Sequence, residues 1–439
     1  MAQFRKDRHE YLKDGTTIFE VVMLADQYGN RVGPANPTGV AVDAFGRARV
    51  STPLTLFDSS HRYADNGLWA TSNSASGNST VAFSPFEGLM NLTISTANSA
   101  NVIRETTKVF SYQPGKSLLT LNTFVMEPAK ANLTQRVGYY GANNGIYLEQ
   151  AGNTISFVER SIVTGNVVET RVSQQNWNTD TLLGEVDGSP SQMTLDLTKA
   201  QILWSDIEWL GLGTVRCGFV IDGKLIHCHS FHHANYITST YIQTASLPLR
   251  YEIFNTGITS SNSSLKQICS SVITEGGYEL RGAQLSVGTP VQAPKDLGGT
   301  PGFDMPVLSI RLKDARQDAI VIITALSLLC VGNNARVKWK VLSNPTLANT
   351  SWISAGTNSS VEYDVSANTA TGGNVLASGY VTSSTQASVA TDILKEALFK
   401  FQLERNALTG VSYPITVTMA TAVAGDDGLV TIDWEEISR

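Results

Sequence analysis

The sequence is poor in charged residues and contains no long hydrophobic run. Charged side chains make up 16% of its 439 residues, against roughly 25% in ordinary soluble domains. The formal net charge of −6 argues against a nucleic-acid-binding protein, which needs a basic face. The longest apolar run, Ala319 to Val331, is shorter than the roughly 20 residues of a membrane helix. We therefore expect neither nucleic acid nor a membrane as a partner.

Cysteine is also scarce. The four cysteines are too few for a scaffold that depends on disulfides. The N-terminus is polar through Gly15 and carries no signal-peptide pattern. Both observations predict maturation in a reducing compartment, where thiols stay free.

Familiar catalytic motifs are missing as well. The sequence has no Gly-x-Ser-x-Gly elbow, no Walker loop and no His-Glu-x-x-His. The stretch from Gly211 to Arg216 imitates the start of a dinucleotide fingerprint, but it lacks the third glycine and opens a strand. We therefore expect no cofactor and no enzyme activity.

What the sequence has in abundance is the alternation of apolar and polar residues that is typical of β-strands. The clearest example is the stretch 215–231, where two alternating segments flank Asp222-Gly223. This pair favours a type I′ turn, because both central positions need positive φ. A two-residue turn fixes the register of the hairpin, so Phe219 should face Ile226.

The same register places residues with possible chemistry opposite each other. Cys217 should face Cys228 in the core, where we expect two free thiols. Arg216 should face His229 on the other side, which His227 shares. Two imidazoles on one strand face suit a metal ion, but the fixed cation of Arg216 opposes one. We therefore expect no metal, with His227 and His229 as weak candidates.

Turn residues and strand patterns divide the chain into four segments. We predict an N-terminal attachment segment with a short β neck over 1–49. A large antiparallel β-sandwich of the jelly-roll or lectin-like type follows over 50–286. A linker rich in Gly and Pro over 287–304 leads to a second β-sandwich over 305–439. The predicted fold class is all-β.

One short helix is the exception in this pattern. Apolar residues between Asp392 and Arg405 recur at helical spacing. A strand over Leu398 to Leu403 is the alternative, because apolar residues alternate there too.

Two groups of residues are candidates for contacts with partners. Isolated apolar residues near the N-terminus predict a docking segment that orders on a partner, although a tether folded back on its own domain is the alternative; these residues are Phe4, Tyr11, Ile18 and Phe19. A loop with aromatic and amide groups could contact a glycan, although local packing of the aromatics is the alternative; its residues are Tyr139, Tyr140, Asn143 and Asn144.

Five phrases of the sequence carry a family resemblance. They are GRARVSTPLTLFDS (Gly46–Ser59), FSYQPGKS (Phe110–Ser117), RVGYYGANNGIYLE (Arg136–Glu149), IEWLGLGTVRCGFVIDGK (Ile207–Lys224) and SLPLRYEI (Ser246–Ile253). They resemble a family of virion structural proteins of tailed bacteriophages, common in environmental and marine phages. The resemblance covers residues 40–285, and 305–439 more loosely.

The resemblance implies a non-enzymatic structural component of a virion. We expect a tail or head fibre subunit or a baseplate appendage, which forms a homotrimer and docks by its N-terminal segment on other virion proteins of the tail, baseplate or capsid. Assembly would take place in the host cytoplasm. The alternatives are a capsid decoration (cement) protein and a carbohydrate-binding adhesin for host recognition, whose partner would be a host surface glycan.

Overall fold

The computed structural model describes residues 10–14, 17–21, 52–73, 78–276, 282–298, 300, 302–332, 336–383 and 402–438. The chain divides into two compact units, Met1–Thr52 and Pro53–Arg439. In the first unit, strands β1 (Glu10–Asp14) and β2 (Thr17–Val21) form an antiparallel hairpin. The candidate attachment residues Tyr11, Ile18 and Phe19 lie in these strands, whereas Phe4 and residues 22–51 of the predicted neck lie outside the described residues.

The second unit begins with two large antiparallel sheets. Their strands are β3 (Pro53–Ser60), β4 (Trp69–Asn73), β5 (Ser79–Ser84), β6 (Leu89–Ile94), β7 (Asn101–Thr106), β8 (Phe110–Ser111), β9 (Leu118–Val125), β10 (Leu133–Tyr140), β11 (Gly145–Ala151), β12 (Thr154–Ser161), β13 (Val168–Ser173), β14 (Gln201–Ile207), β15 (Val215–Ile221), β16 (Lys224–Phe231), β17 (Ser246–Leu247), β18 (Leu249–Asn255) and β19 (Ser263–Glu275). The seven-stranded sheet has the order β13-β12-β11-β10-β18-β7-β4. The eight-stranded sheet has the order β16-β15-β14-β9-β19-β6-β5, and β3 also pairs with β19.

Strand alternation explains why these sheets pack face to face. In β6, the apolar residues Met90, Leu92 and Ile94 are buried, whereas Asn91 and Thr93 between them are half-buried. Each fully buried apolar side chain of this size contributes about 1.5–3 kcal/mol relative to exposure. Across the interior, the hydroxyl of Tyr251 on β18 lies 2.8 Å from Ser270 Oγ on β19. The result is the predicted large β-sandwich with one apolar core.

The hairpin at the edge of the eight-stranded sheet begins as predicted. Asp222 and Gly223 have φ values of 51° and 73°, as a type I′ turn requires. Phe219 pairs with Ile226, and Gly218 pairs with His227. The turn chemistry therefore determines the first half of the register.

A β-bulge changes the second half of that register. Cys217 pairs with His229, so that Cys228 is the additional residue on β16. The carbonyl of Cys228 accepts hydrogen bonds from the backbone N–H groups of residues 179 and 180, at 3.0 and 3.1 Å. A loop from elsewhere in the chain thus satisfies the carbonyl that leaves the regular ladder.

The bulge overturns two predicted pairs. Cys217 does not face Cys228 directly, and Arg216 lies opposite Ser230 instead of His229. Both thiols are nonetheless free and fully buried, which confirms their prediction as packed thiols. Burial raises the pKa of both thiols well above its usual range.

A second β-sandwich follows in the same unit. Its strands are β20 (Ala283–Gly288), β21 (Lys295–Asp296), β22 (Met305–Leu312), β23 (Ile320–Val331), β24 (Arg336–Ser343), β25 (Thr346–Ala348), β26 (Ile353–Ser354), β27 (Val361–Asp364), β28 (Thr369–Thr371), β29 (Asn374–Thr382), β30 (Ile415–Ala420) and β31 (Asp427–Ser438). Six strands form the sheet β26-β27-β22-β30-β24-β29. In the opposing sheet, β31 pairs with β20, β21 and β23. Trp434 lies fully buried between these sheets.

The stretch 287–304 is more than a linker. Its first residues belong to β20, and Lys295 and Asp296 form β21, so both ends of the stretch 283–296 pair with β31. Leu297 is buried in the second core, and Val287 packs against it. The content of Gly and Pro predicted a linker here, but pairing with the distant strand β31 gives these residues a strand conformation.

The predicted helix lies mostly outside the described residues, which resume at 402. Gln402 and Arg405, at its expected end, form isolated β-bridges with Ile322 and Ser412. Two 3₁₀ turns, Gln174–Asn176 and Asp314–Arg316, are present. Within the described parts of the chain, no helix has the length and apolar character needed to cross a membrane. The described structure is therefore all-β, as predicted.

Candidate functional site

The first candidate imidazole, His227, lies on the outer face of the eight-stranded sheet. It stands opposite Gly218, and its ring packs against Trp204 with ring centroids 5.9 Å apart. His227 Nε2 lies 2.9 Å from Ser230 Oγ. The side chain is thus held by local contacts.

The second candidate imidazole, His229, points into the core because of the bulge. Only 6% of His229 is exposed. Its ring contacts Phe231 edge to face at 4.6 Å and lies parallel to Phe157 at 6.5 Å. The prediction that His227 and His229 share a face is therefore wrong. In the part of the chain that the structure describes, no group of three or more metal-binding side chains is found.

The stability of the protein should depend on pH through His229. Burial, and then the charges of His227 and His232, lower the pKa of His229 from 6.5 to about 4. The unfolded chain therefore takes up a proton at higher pH than the native chain, and the free energy of unfolding falls as the pH drops from 6.5 to about 4, by up to about 3 kcal/mol. In the variant His229→Phe this contribution should disappear. Urea denaturation of both proteins across this pH window measures it.

His233 provides the matched comparison, because its pKa is raised in the native state whereas that of His229 is lowered. Burial alone would lower its pKa, but the hydrogen bond to Glu159, with Nε2 and Oε2 2.7 Å apart, raises it. Protonated His233 stabilises the native state at pH values below its pKa in the unfolded chain. This stabilisation is lost as the pH rises through its pKa in the native state. His233→Gln should therefore lower the free energy of unfolding by the same amount at every pH between 6.5 and about 4 and leave the acid loss caused by His229 unchanged, whereas its effect should shrink above pH 6.5. Equal pH profiles for wild type and His229→Phe would contradict the assignment.

The contact between His233 and Glu159 was not predicted from the sequence. His233 also stacks on Tyr241 at 4.0 Å, and its Nδ1 lies 2.5 Å from the carbonyl oxygen of Gly213. Both ring nitrogens are thus engaged, and the loop after β16 is anchored to β12. Glu159 lies 74 residues away in the sequence, so no local pattern could have indicated this pair.

The aromatic part of the predicted glycan loop is not accessible. Tyr139 and Tyr140 are both 0% exposed. The Tyr139 hydroxyl lies 2.6 Å from the carbonyl oxygen of Phe110, and it also contacts that of Ala245. The prediction that these two rings stack on a sugar is wrong, because Tyr139 lies in the apolar core and Tyr140 is covered by the ring of Tyr147 and the guanidinium of Arg250.

The two amide residues of that loop differ in their exposure to solvent. Asn144 is 3% exposed, and its Oδ1 accepts hydrogen bonds from the backbone N–H groups of Ile162 and Gln243. This side chain connects three loops by hydrogen bonds and is not accessible to a ligand. Asn143 is exposed and is the one member of the predicted set that a ligand could reach.

The outer face of the seven-stranded sheet carries a set of ion pairs that the sequence reasoning missed. We call it the arginine–glutamate network; its members are Arg136, Arg160, Arg171, Arg250, Glu105, Glu149, Glu169 and Glu252. Four arginines balance four glutamates. Strand pairing predicts this set once the register is known, because Arg136 lies directly opposite both Glu149 and Glu252.

Arg136 lies at the centre of the network. Its Nε is 2.7 Å from Glu149 Oε2, and its Nη1 is 3.4 Å from Glu252 Oε2. The guanidinium also lies over the rings of Tyr147 and Phe254, at 5.3 and 4.9 Å. With a side chain only 12% exposed, Arg136 is a nearly buried cation held by two carboxylates and two aromatic faces.

The glutamates of the network differ in pKa. Burial opposes ionisation of Glu169, but hydrogen bonds from Tyr147 and Arg160 lower its pKa to about 2. Burial raises the pKa of Glu105, although Arg250 opposes the rise. Because Glu169 stays ionised across ordinary pH and is engaged by its neighbours, it acts as a structural counter-ion.

The two sandwiches meet at a polar junction. Arg405 Nη2 lies 3.0 Å from Asp318 Oδ1 and donates to the carbonyl oxygen of Ser246 at 3.3 Å. Lys108 pairs with Glu404 at 3.2 Å. The contacts Gln402 Nε2 to Ser111 Oγ and Tyr413 Oη to the Thr107 carbonyl add to them. The pair of Arg405 and Asp318 lies within the second sandwich, whereas the other contacts connect side chains of the second sandwich to backbone and side chains of the first.

A cleft of about 550 Å³ opens beside this junction. Tyr112, Trp209 and Gln243 of the first sandwich line one side. The stretch 315–319 of the second sandwich lines the other. The sequence did not indicate this cleft, since it exists only where the two sandwiches meet.

No protein-family model and no curated protein matches this sequence. Among solved structures, the matches include the Emp47p carbohydrate recognition domain, with 11% identity over 54% of this chain and 100% of that chain and a TM-score of 0.31. The CBM2 module of the evolved Dit of Lactobacillus casei BL23 phage J-1 has 6% identity over 53% and 100%, with a TM-score of 0.32. The carbohydrate binding module CBM66 from Bacillus subtilis has 10% identity over 46% and 94%, with a TM-score of 0.27. TM-scores of this size are too low to transfer a function.

Proposed function

We propose that the chain is a non-enzymatic structural subunit of a tailed-phage virion, in a tail or head fibre or a baseplate appendage. The observation that carries the proposal is the junction described above, where an ion pair and several hydrogen bonds join two sandwiches within one compact unit. Contacts through several separate side chains restrain bending, which suits a part that holds a fixed shape on a particle. The family resemblance over residues 40–285 supports the same assignment.

The arginine–glutamate network supports a structural role over a catalytic one. A general acid or base needs a pKa near the working pH and access to substrate. Glu169 has a pKa of about 2, and Glu149, 4% exposed, is held by both Arg136 and Arg171. These carboxylates stiffen the sheet face.

The proposal includes how the subunit is placed. Its N-terminal segment 1–49 docks on other virion proteins, and three copies associate after synthesis in the host cytoplasm. The low charge density of the sequence, 16%, supports close packing of copies. A capsid decoration protein is the alternative, and its position on the head distinguishes it.

Immunogold electron microscopy of purified virions tests the proposal. An antibody raised against the second sandwich should label the tail, the baseplate or the head of the phage that encodes the chain. Virions of an amber mutant in this gene, grown without a suppressor, are the control and should lose the label or fail to assemble. The purified full chain should sediment at three times its mass of 47.3 kDa.

Each readout can contradict one part of the proposal. Complete virions without the label, from cells that contain the protein, would exclude a virion component. A purified chain that stays monomeric would exclude the trimer. The position on the virion would still be tested separately by the immunogold label.

A further inference from the structure

The cleft beside the junction combines a fixed aromatic surface with polar groups from two domains. Trp209 is half-buried, and its Nε1 donates to the carbonyl oxygen of Ile242 at 3.3 Å. The edge of Tyr112 packs against it, with ring centroids 6.1 Å apart and planes at 78°. The indole is therefore held in one orientation while part of it faces the cleft.

Tyr112 supports the indole from the side of the protein interior. It is 5% exposed; burial raises the pKa of its hydroxyl, and backbone groups of Trp209, Gly115 and Leu210 oppose that rise. The hydroxyl oxygen is inaccessible to solvent, so Tyr112 fixes the position of Trp209 and does not itself contact a ligand.

The facing wall presents preorganised acceptors and donors. Asp318 has a side chain 44% exposed, and Arg405 engages its Oδ1 only. The amide nitrogen of Gln317 donates to the carbonyl oxygen of Gly410, which fixes the plane of the amide. Arg316 donates through Nη1 to Asn358, so the rest of its guanidinium remains available. Groups fixed in this way lose little entropy when they bind a ligand.

We propose that this cleft binds a neutral oligosaccharide, with Trp209 as the surface on which one sugar ring lies. A pyranose has an apolar C–H face that packs on an indole, and its hydroxyls match planar amide and carboxylate groups. Arg405 already pairs with Asp318, and most other polar side chains of the lining are uncharged, among them Gln243, Thr244 and Gln317, which suits the hydroxyls of an uncharged ligand. The volume of about 550 Å³ lies within the roughly 300–1,000 Å³ of ligand sites, which often lie between domains. This inference is independent of the position of the protein on a virion.

Binding of defined oligosaccharides tests the cleft. The full chain is screened on a glycan array of neutral and acidic sugars, and affinities for maltotriose, cellotriose and chitotriose are measured by calorimetry. We expect binding to at least one neutral glycan, weakened about tenfold or more in Trp209→Ala. Trp209 also packs against the core, so its removal could affect folding, and Gln243→Ala is therefore the second variant. Gln243 is exposed at the cleft. Its truncation should weaken binding without a change in melting temperature.

Tyr236→Ala is the matched control, because this tyrosine is 77% exposed and lies outside the cleft. Its affinity should equal that of the wild type. The proposal is overturned if no glycan binds at millimolar concentration, if only acidic glycans bind, or if Trp209→Ala and Gln243→Ala both bind like the wild type.

Discussion

Replacing Arg136 by Met should lower the free energy of unfolding by about 3–5 kcal/mol, as expected when one partner of a buried ion pair is removed. Methionine keeps much of the side-chain volume but leaves the carboxylate of Glu252, 12% exposed, without its cation. Glu149 keeps Arg171, at 2.7 Å. Most of the loss therefore comes from one uncompensated carboxylate inside the network. Urea denaturation followed by tryptophan fluorescence measures the change.

The same substitution at Arg216 is the matched control. Arg216 pairs with Asp206, but its side chain is 57% exposed, and an exposed pair contributes about 0–1 kcal/mol. A loss below 1 kcal/mol, or one that does not differ from that of Arg216→Met, would contradict the structural role of the network.

Trp434→Ala should destabilise the second sandwich by about 3–5 kcal/mol, the usual range for removing a buried tryptophan. Trp434 is 0% exposed, and its Nε1 donates to Glu436 Oε1 at 3.0 Å. That carboxylate is itself buried and holds the Ser359 hydroxyl at 2.6 Å. The substitution removes both the volume of an indole and one donor to a buried charge.

Calorimetry of Trp434→Ala also tests the junction. If Arg405 and Glu404 couple the sandwiches, the melting temperature of the first sandwich should fall together with that of the second. The control is Tyr380→Ala in the same domain, since Tyr380 is 75% exposed. This variant should have the melting temperature of the wild type. A first sandwich that melts unchanged beside a destabilised second one would show that the junction does not couple them.

Local sequence patterns predicted the fold class because they depend on neighbouring residues alone. The alternation along β6, from Met90 to Ile94, determines which face is buried. The pair Asp222-Gly223 determines its turn, because both residues accept positive φ. The large sandwich and the second strand-rich region followed from such patterns, and the structure confirms an all-β fold.

Tertiary contacts decided the details of the candidate site. The bulge at Cys228, which turns His229 inward, exists because the loop residues 179 and 180 supply donors to its carbonyl. Tyr139 is buried because its hydroxyl meets the carbonyl of Ala245, 106 residues away. Strand β20 exists because β31 pairs with it.

The sequence by itself thus determined where strands form and which of their faces are apolar, since these properties depend on residues two positions apart. Only the tertiary structure decided that the aromatic residues of the predicted glycan loop are buried and that Trp209 and Asp318 border one cleft. The physical reason is that burial and pairing at a site depend on groups brought together from distant parts of the chain, and a local pattern contains no information about which groups these are.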